Sequence, residues 1–117
     1  HKELKVQTTS TGLRYAIIKE NPKGELGKIG KTASVILKIS LLDGTPCYTT
    51  GDDVYDEIPI DKNDKESGLN EALKLMREGE CAKLILPNHL AHGLVGDLEQ
   101  IPPLAILLVD VELVELQ

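Results

Sequence analysis

Residues 67–87 read SGLNEALKLMREGECAKLILP, and the hydrophobic period changes once within that stretch. Leu69, Ala72, Leu73 and Met76 fall at i, i+3, i+4 and i+7, which gathers them into one apolar stripe on a helix. Ser67 is placed to cap that helix, and Glu71 lies near the positive end of its dipole. Gly79 is expected to end it in the left-handed conformation. From Cys81 the period drops to two, with Ala82, Leu84 and Leu86 on one face, as a half-buried strand requires.

The rest of the chain supplies strands around this unit. Leu13, Tyr15 and Ile17 alternate against Arg14, Ala16 and Ile18. The stretch NPKGELGKIGK, with Pro22 and three glycines, interrupts the pattern as a loop. Val35, Leu37, Ile39 and Leu41 then share one face, with Ser34, Lys38 and Ser40 mostly on the other. Asp43-Gly44 is a hairpin signal, so TPCYTT is expected to return as the paired strand. Ile58 and Ile60 mark a short strand, and Leu107, Val109, Val111 and Leu113 a long final one. Val109 is expected to face the same core as Leu37. Strands, tight turns and one helix without βαβ alternation predict an α+β fold, an antiparallel β-sheet curled around one short amphipathic α-helix. Residues 1–11 are expected to form a polar leader or linker tail and residues 12–117 the domain.

Composition narrows the function. A chain of 117 residues is sized for one core. It has three tyrosines, no Phe and no Trp, so that core must come from Leu, Ile and Val. A net charge of −6 repels nucleic acid and anionic lipid, so neither is expected as a partner. No apolar run is long enough for a membrane-spanning segment. Cys47 and Cys81 stand in no CxxC pair and read as buried small thiols.

Chemical motifs are sparse. His89 and His92 would need further ligands to hold zinc, and the cysteines lie at no recognisable spacing from them. Residues 61–72, DKNDKESGLNEA, fail the calcium-loop pattern at Lys65, Glu66 and Ala72. Neither a metal nor another cofactor is therefore expected. No GxSxG, Walker or dinucleotide fingerprint is present. The acidic residues are expected on solvated outer faces rather than as catalytic pairs.

The order of the segments GLRYAII, LLDGTPCYTT, GLNEALKLMREGECAKLILP, LAHG and IPPLAILLVDVELVEL resembles the FKBP-type peptidyl-prolyl isomerases from about Gly12 to Leu116. The opening is most similar to the bacterial cell-envelope members. The resemblance implies a sheet wrapped around a short helix and a pocket between them, floored by aromatics and roofed by the loop corresponding to residues 88–103. It implies a pocket for Xaa-Pro segments of peptides or unfolded proteins, and a location in the periplasm or, through a lipid anchor upstream of residue 1, in the cell envelope.

Carried over position by position, the resemblance also marks departures. Leu69 falls where the family has a tryptophan floor, Leu37 where it has a buried tyrosine, and Cys47 and Val109 where it has phenylalanines. Tyr48 takes the usual aspartate position, and Lys65 and Glu66 replace a Val-Ile pair whose backbone amide binds substrate. His92 matches the tyrosine that donates to the substrate carbonyl, Asp97 stands near a position that is often histidine, and Ile101 with Pro102-Pro103 fits the pattern. His92 and Tyr48 are thus the candidate catalytic residues. Leu37, Cys47, Tyr55, Glu66, Leu69, Asp97, Ile101 and Val109 are the candidate substrate-binding residues. Two readings follow: a weakly active prolyl isomerase with an aliphatic pocket, or a noncatalytic binding, chaperone or structural module of the cell envelope.

Overall fold

The computed structural model describes residues 5–51, 54–60, 68–87 and 106–117. The strands are β1 (Gln7–Thr8), β2 (Arg14–Lys19), β3 (Thr32–Leu41), β4 (Pro46–Thr49), β5 (Asp56–Pro59), β6 (Cys81–Leu86) and β7 (Leu107–Leu116), with one helix, α1 (Gly68–Leu73). They form a single antiparallel sheet in the order β1-β2-β6-β7-β3-β4, and β5 also pairs with β3. This is the expected α+β architecture.

Its centre follows from period-two alternation. Val35, Leu37 and Ile39 of β3 are fully buried, as are Leu107 and Leu113 of β7, with Val109 and Val111 almost so. The register sets Leu37 opposite Val111 and Ile39 opposite Val109, so the two long strands present one continuous apolar face. Leu69, Ala72 and Leu73 of α1 and Met76 beyond it close that face from the other side. Each large aliphatic buried here contributes about 1.5–3 kcal/mol.

Three local expectations are corrected. Gln7 and Thr8, assigned to the tail, pair with Tyr15 and Arg14 and extend the sheet. The helix ends at Leu73 although its apolar stripe runs on to Met76. Beyond Leu73 the turn tightens, with Lys74 N donating to Glu71 O at 3.1 Å and Leu75 N to Ala72 O at 2.9 Å. The 21–27 loop then takes up the chain that follows: Gly27 N donates to Met76 O at 2.9 Å and Glu78 N to Glu25 O at 2.8 Å. Gly27 approaches so closely that a Cβ there would collide with the Leu73 carbonyl. Gly79 has the expected positive φ of 93°, but it serves the Arg77–Glu80 turn into β6 rather than a helix cap. Ser67, the expected N-cap, lies outside the described residues.

Candidate functional site

The hairpin after β3 begins the site. Gly44 adopts φ 94°, Asp43 Oδ1 accepts from Thr45 N at 2.9 Å, and Leu41 N donates to Thr45 O at 2.9 Å. This turn returns β4 beside β3, placing Tyr48 opposite Ile39. Because Ile39 faces the core, so does the Tyr48 ring, which packs half-buried against it together with Cys47. β5 runs along another part of β3, with Asp56 opposite the buried Val35. Tyr48, Thr50 and Asp56 consequently gather on the helix side of the sheet, at its β4–β5 margin.

These three side chains form one hydrogen-bonded unit. The Tyr48 hydroxyl donates to the Asp56 carboxylate, 2.9 Å from one oxygen and 2.8 Å from the other. The Thr50 hydroxyl donates to Asp56 Oδ2 at 2.7 Å and accepts from Leu37 N at 2.8 Å. Thr50 N donates to Leu37 O at 2.9 Å, fastening the unit to the backbone of a candidate floor residue. The polarity is one-way: both hydroxyl hydrogens point to the carboxylate. Donation to Asp56 holds the Tyr48 phenol above its ordinary pKa, and burial and the Asp56 charge add to the shift.

Other candidate residues are placed as follows. Leu37, Leu69 and Val109 lie in one buried cluster and expose 2% or less of their surface. Tyr55 precedes β5 and is 51% exposed, apart from that cluster. Glu66, His92, Asp97 and Ile101 lie outside the described residues, as do Lys65, His89, Pro102 and Pro103. Among the described residues no group of His, Cys, Asp or Glu side chains is arranged to hold a metal ion, and Cys47 and Cys81 are unbridged.

The acidic residues correct the expectation of a purely solvated distribution. Asp56 is half-buried, and Glu80 is only 6% exposed. Glu80 accepts from Asn21 N at 3.0 Å and Arg77 N at 2.9 Å, while the Glu78 carboxylate accepts from Leu116 N at 2.9 Å. Asp56 and Thr50 escaped the sequence reading because neither belongs to an apolar pattern. The alternation of Ile58 and Ile60 located β5, and counting back by two from Ile58 would have put Asp56 on the same face.

The opposite face of the sheet has two shallow depressions, of about 190 and 400 Å³. The Lys83–Asp110 ion pair, 2.6 Å between charged atoms, borders both.

Comparison with known proteins agrees with this fold. The profile of the FKBP-type peptidyl-prolyl cis-trans isomerase family matches residues 24–114, from the loop before β3 to near the end of β7. The FKBP-type peptidyl-prolyl cis-trans isomerase FkpA of Escherichia coli K12 is 36% identical over 119 residues, covering 99% of this chain and 42% of that protein. Mouse peptidyl-prolyl cis-trans isomerase FKBP10 is 41% identical over 91 residues, covering 77% of this chain and 16% of that protein. The crystal structure of E. coli FkpA superposes with a TM-score of 0.83 at 34% identity, over 99% of this chain and 53% of that one. The chain spans about two fifths of the length of the FkpA relative. It belongs to the FKBP-type peptidyl-prolyl cis-trans isomerase family.

Proposed function

We propose that residues 12–117 form a prolyl isomerase domain of low activity, acting on Xaa-Pro bonds of folding proteins. The observation that carries this reading is the family match over residues 24–114, which takes in β3, α1 and β7 and with them Leu37, Leu69 and Val109. The Xaa-Pro amide rotates slowly because the twisted state loses resonance, a barrier of about 18–20 kcal/mol for peptide bonds. An apolar site lowers it by favouring the twisted, less polar amide over the planar one while hydrogen bonds hold the flanking backbone. That chemistry needs no nucleophile and no metal.

Low activity follows from composition. Without Phe or Trp the proline ring meets aliphatic surface, forgoing contacts worth about 0.5–1.5 kcal/mol beyond area. His92 and Tyr48 remain the candidate polar groups of the rim, and Glu66, Asp97 and Ile101 candidate contacts of the surrounding segments. Tyr48 enters this role with its hydroxyl hydrogen already engaged by Asp56. The same two features favour a second reading, in which the domain binds unfolded segments without catalysing their isomerisation.

Residues 1–11 are read as a leader or linker tail, and among its described residues Gln7 and Thr8 join the sheet. Among the described residues no helix is long and apolar enough to cross a membrane. An envelope location, with a lipid anchor upstream, is proposed from the similarity of the sequence to bacterial cell-envelope members.

Two-dimensional exchange NMR on Leu-Pro and Phe-Pro peptides tests the activity. Cis/trans exchange enhanced by substoichiometric protein and reduced in His92→Ala supports the isomerase. Peptide binding without enhanced exchange supports the binding module, and neither effect overturns both readings.

A further inference from the structure

The Tyr48–Thr50–Asp56 unit presents acceptors and no donors. A carboxylate offers about four lone-pair sites, and the two hydroxyl groups bring only two hydrogens to it. About two acceptor positions on Asp56 thus stay open, together with the lone pairs of the Tyr48 hydroxyl. Neither hydroxyl has a hydrogen left for a substrate carbonyl.

Among the described residues the charge of Asp56 is also uncompensated. Among the described residues Glu25 is paired with Lys28 and Lys31, and Asp110 with Lys83, whereas no cation is paired with Asp56. Asp56 stands on the helix side of the sheet, half-buried, and is tied through Thr50 to the backbone of Leu37. Partial burial weakens solvent screening of such a charge. A site edge built this way attracts hydrogen-bond donors, above all cationic ones, and repels carboxylates.

We propose that Asp56 is a specificity-determining residue of this domain, selecting proline segments that carry a lysine or arginine next to the Xaa-Pro pair. This rests on the reading of the helix side of the sheet as an Xaa-Pro site. The site then discriminates by a charge that none of the candidate residues Leu37, Leu69, Val109 or His92 supplies.

The experiment compares two peptides identical except for Lys-Leu-Pro or Glu-Leu-Pro, with binding and cis/trans exchange both followed by NMR at low and moderate salt. The lysine peptide should bind about three-fold or more tightly at low salt, with the ratio shrinking as salt is added. Asp56→Asn should bring the ratio close to one, whereas Asp56→Glu should keep it. Glu20→Gln, the same change in net charge at an exposed position on the β2 side of the sheet, should leave the ratio unaltered. Tyr48→Phe, which releases a further acceptor position on Asp56, should preserve or raise it. Equal binding of the two peptides by the unmodified protein, or a ratio unmoved in Asp56→Asn, overturns the assignment of Asp56 and leaves the isomerase reading standing. Failure of both peptides to bind or exchange overturns the Xaa-Pro reading and this inference with it.

Discussion

Among the described residues two carboxylates, Glu80 and Asp56, each gather two donors, and they do so in different ways. Glu80 sits where the 21–27 loop, the chain after α1 and β6 converge, and its acceptors go to the backbone amides of Asn21 and Arg77. Its neighbour Glu78 reaches the amide of Leu116. Asp56 sits at the β4–β5 margin and takes its hydrogens from two side-chain hydroxyls within eight residues. Loss of Glu80 would leave two part-buried amides without their acceptor, whereas loss of Asp56 would let the half-exposed Tyr48 hydroxyl turn to water and leave the buried Thr50 hydroxyl still accepting from Leu37 N. The first arrangement holds distant segments together; the second holds polar groups in place without closing them off.

That contrast can be broken by substitution. Glu80→Ala should cost about 3 kcal/mol, through two orphaned amides and a lost buried carboxylate, and shift the urea midpoint sharply downward. Asp56→Ala should cost about 1 kcal/mol in the same titration. A loss for Asp56→Ala as large as that for Glu80→Ala would mean that the β4–β5 unit is scaffold.

Alkaline pH probes the same margin more gently. Tyr48 is held above its ordinary value near 10.0 because its neutral form donates to Asp56. A phenol raised on folding contributes stability that is fully present below its unfolded pKa and is lost as pH rises through the folded value. The upward displacement should appear in the phenolate absorbance of a Tyr15→Phe, Tyr55→Phe background and shrink when Asp56→Asn is added, since only the contribution of burial then remains. A Tyr48 titrating at its ordinary value would show that the hydroxyl is not committed to the carboxylate.

The remaining effects belong to the outer face and should be small. Lys83→Ala breaks an ion pair whose side chains are 55% and 49% exposed and should change stability by less than about 1 kcal/mol, less still in salt. Burial raises the Cys81 thiol pKa, and Glu112 raises it further against a lowering by Lys19. Its alkylation at neutral pH should therefore be slower than that of a free small thiol, because less thiolate is present. Rapid modification would mean that the Cys81 thiolate is more populated than its partial burial and the Glu112 charge allow.

Much of the fold was legible before any coordinates. The alternation through Leu37 and Val109 assigned β3 and β7 and the face they share, because successive strand side chains must point to opposite sides whatever surrounds them. Asp43-Gly44 announced the hairpin for a similarly local reason, the freedom of glycine at positive φ. The stripe from Leu69 to Met76 named the core side of α1 correctly but overstated its length. Periodicity reports which side chains are buried, and Met76 is buried outside the helix as completely as it would have been within it.

What the sequence alone determined is therefore the set of elements, their apolar faces and, through the collinear order of its segments, the family. Only the tertiary structure decided where α1 stops, since its end is set by a loop some fifty residues earlier, with Gly27 against the Leu73 carbonyl. Only it separated Glu80 from Asp56 among nineteen acidic residues. Hydrophobic burial is written into the spacing of a residue with its own neighbours, but a carboxylate's role depends on which donors the folded chain brings to it. For Glu80 one of those donors is 59 residues away; for Asp56 they lie on β4 and just beyond its end, brought to β5 by the pairing of both strands with β3.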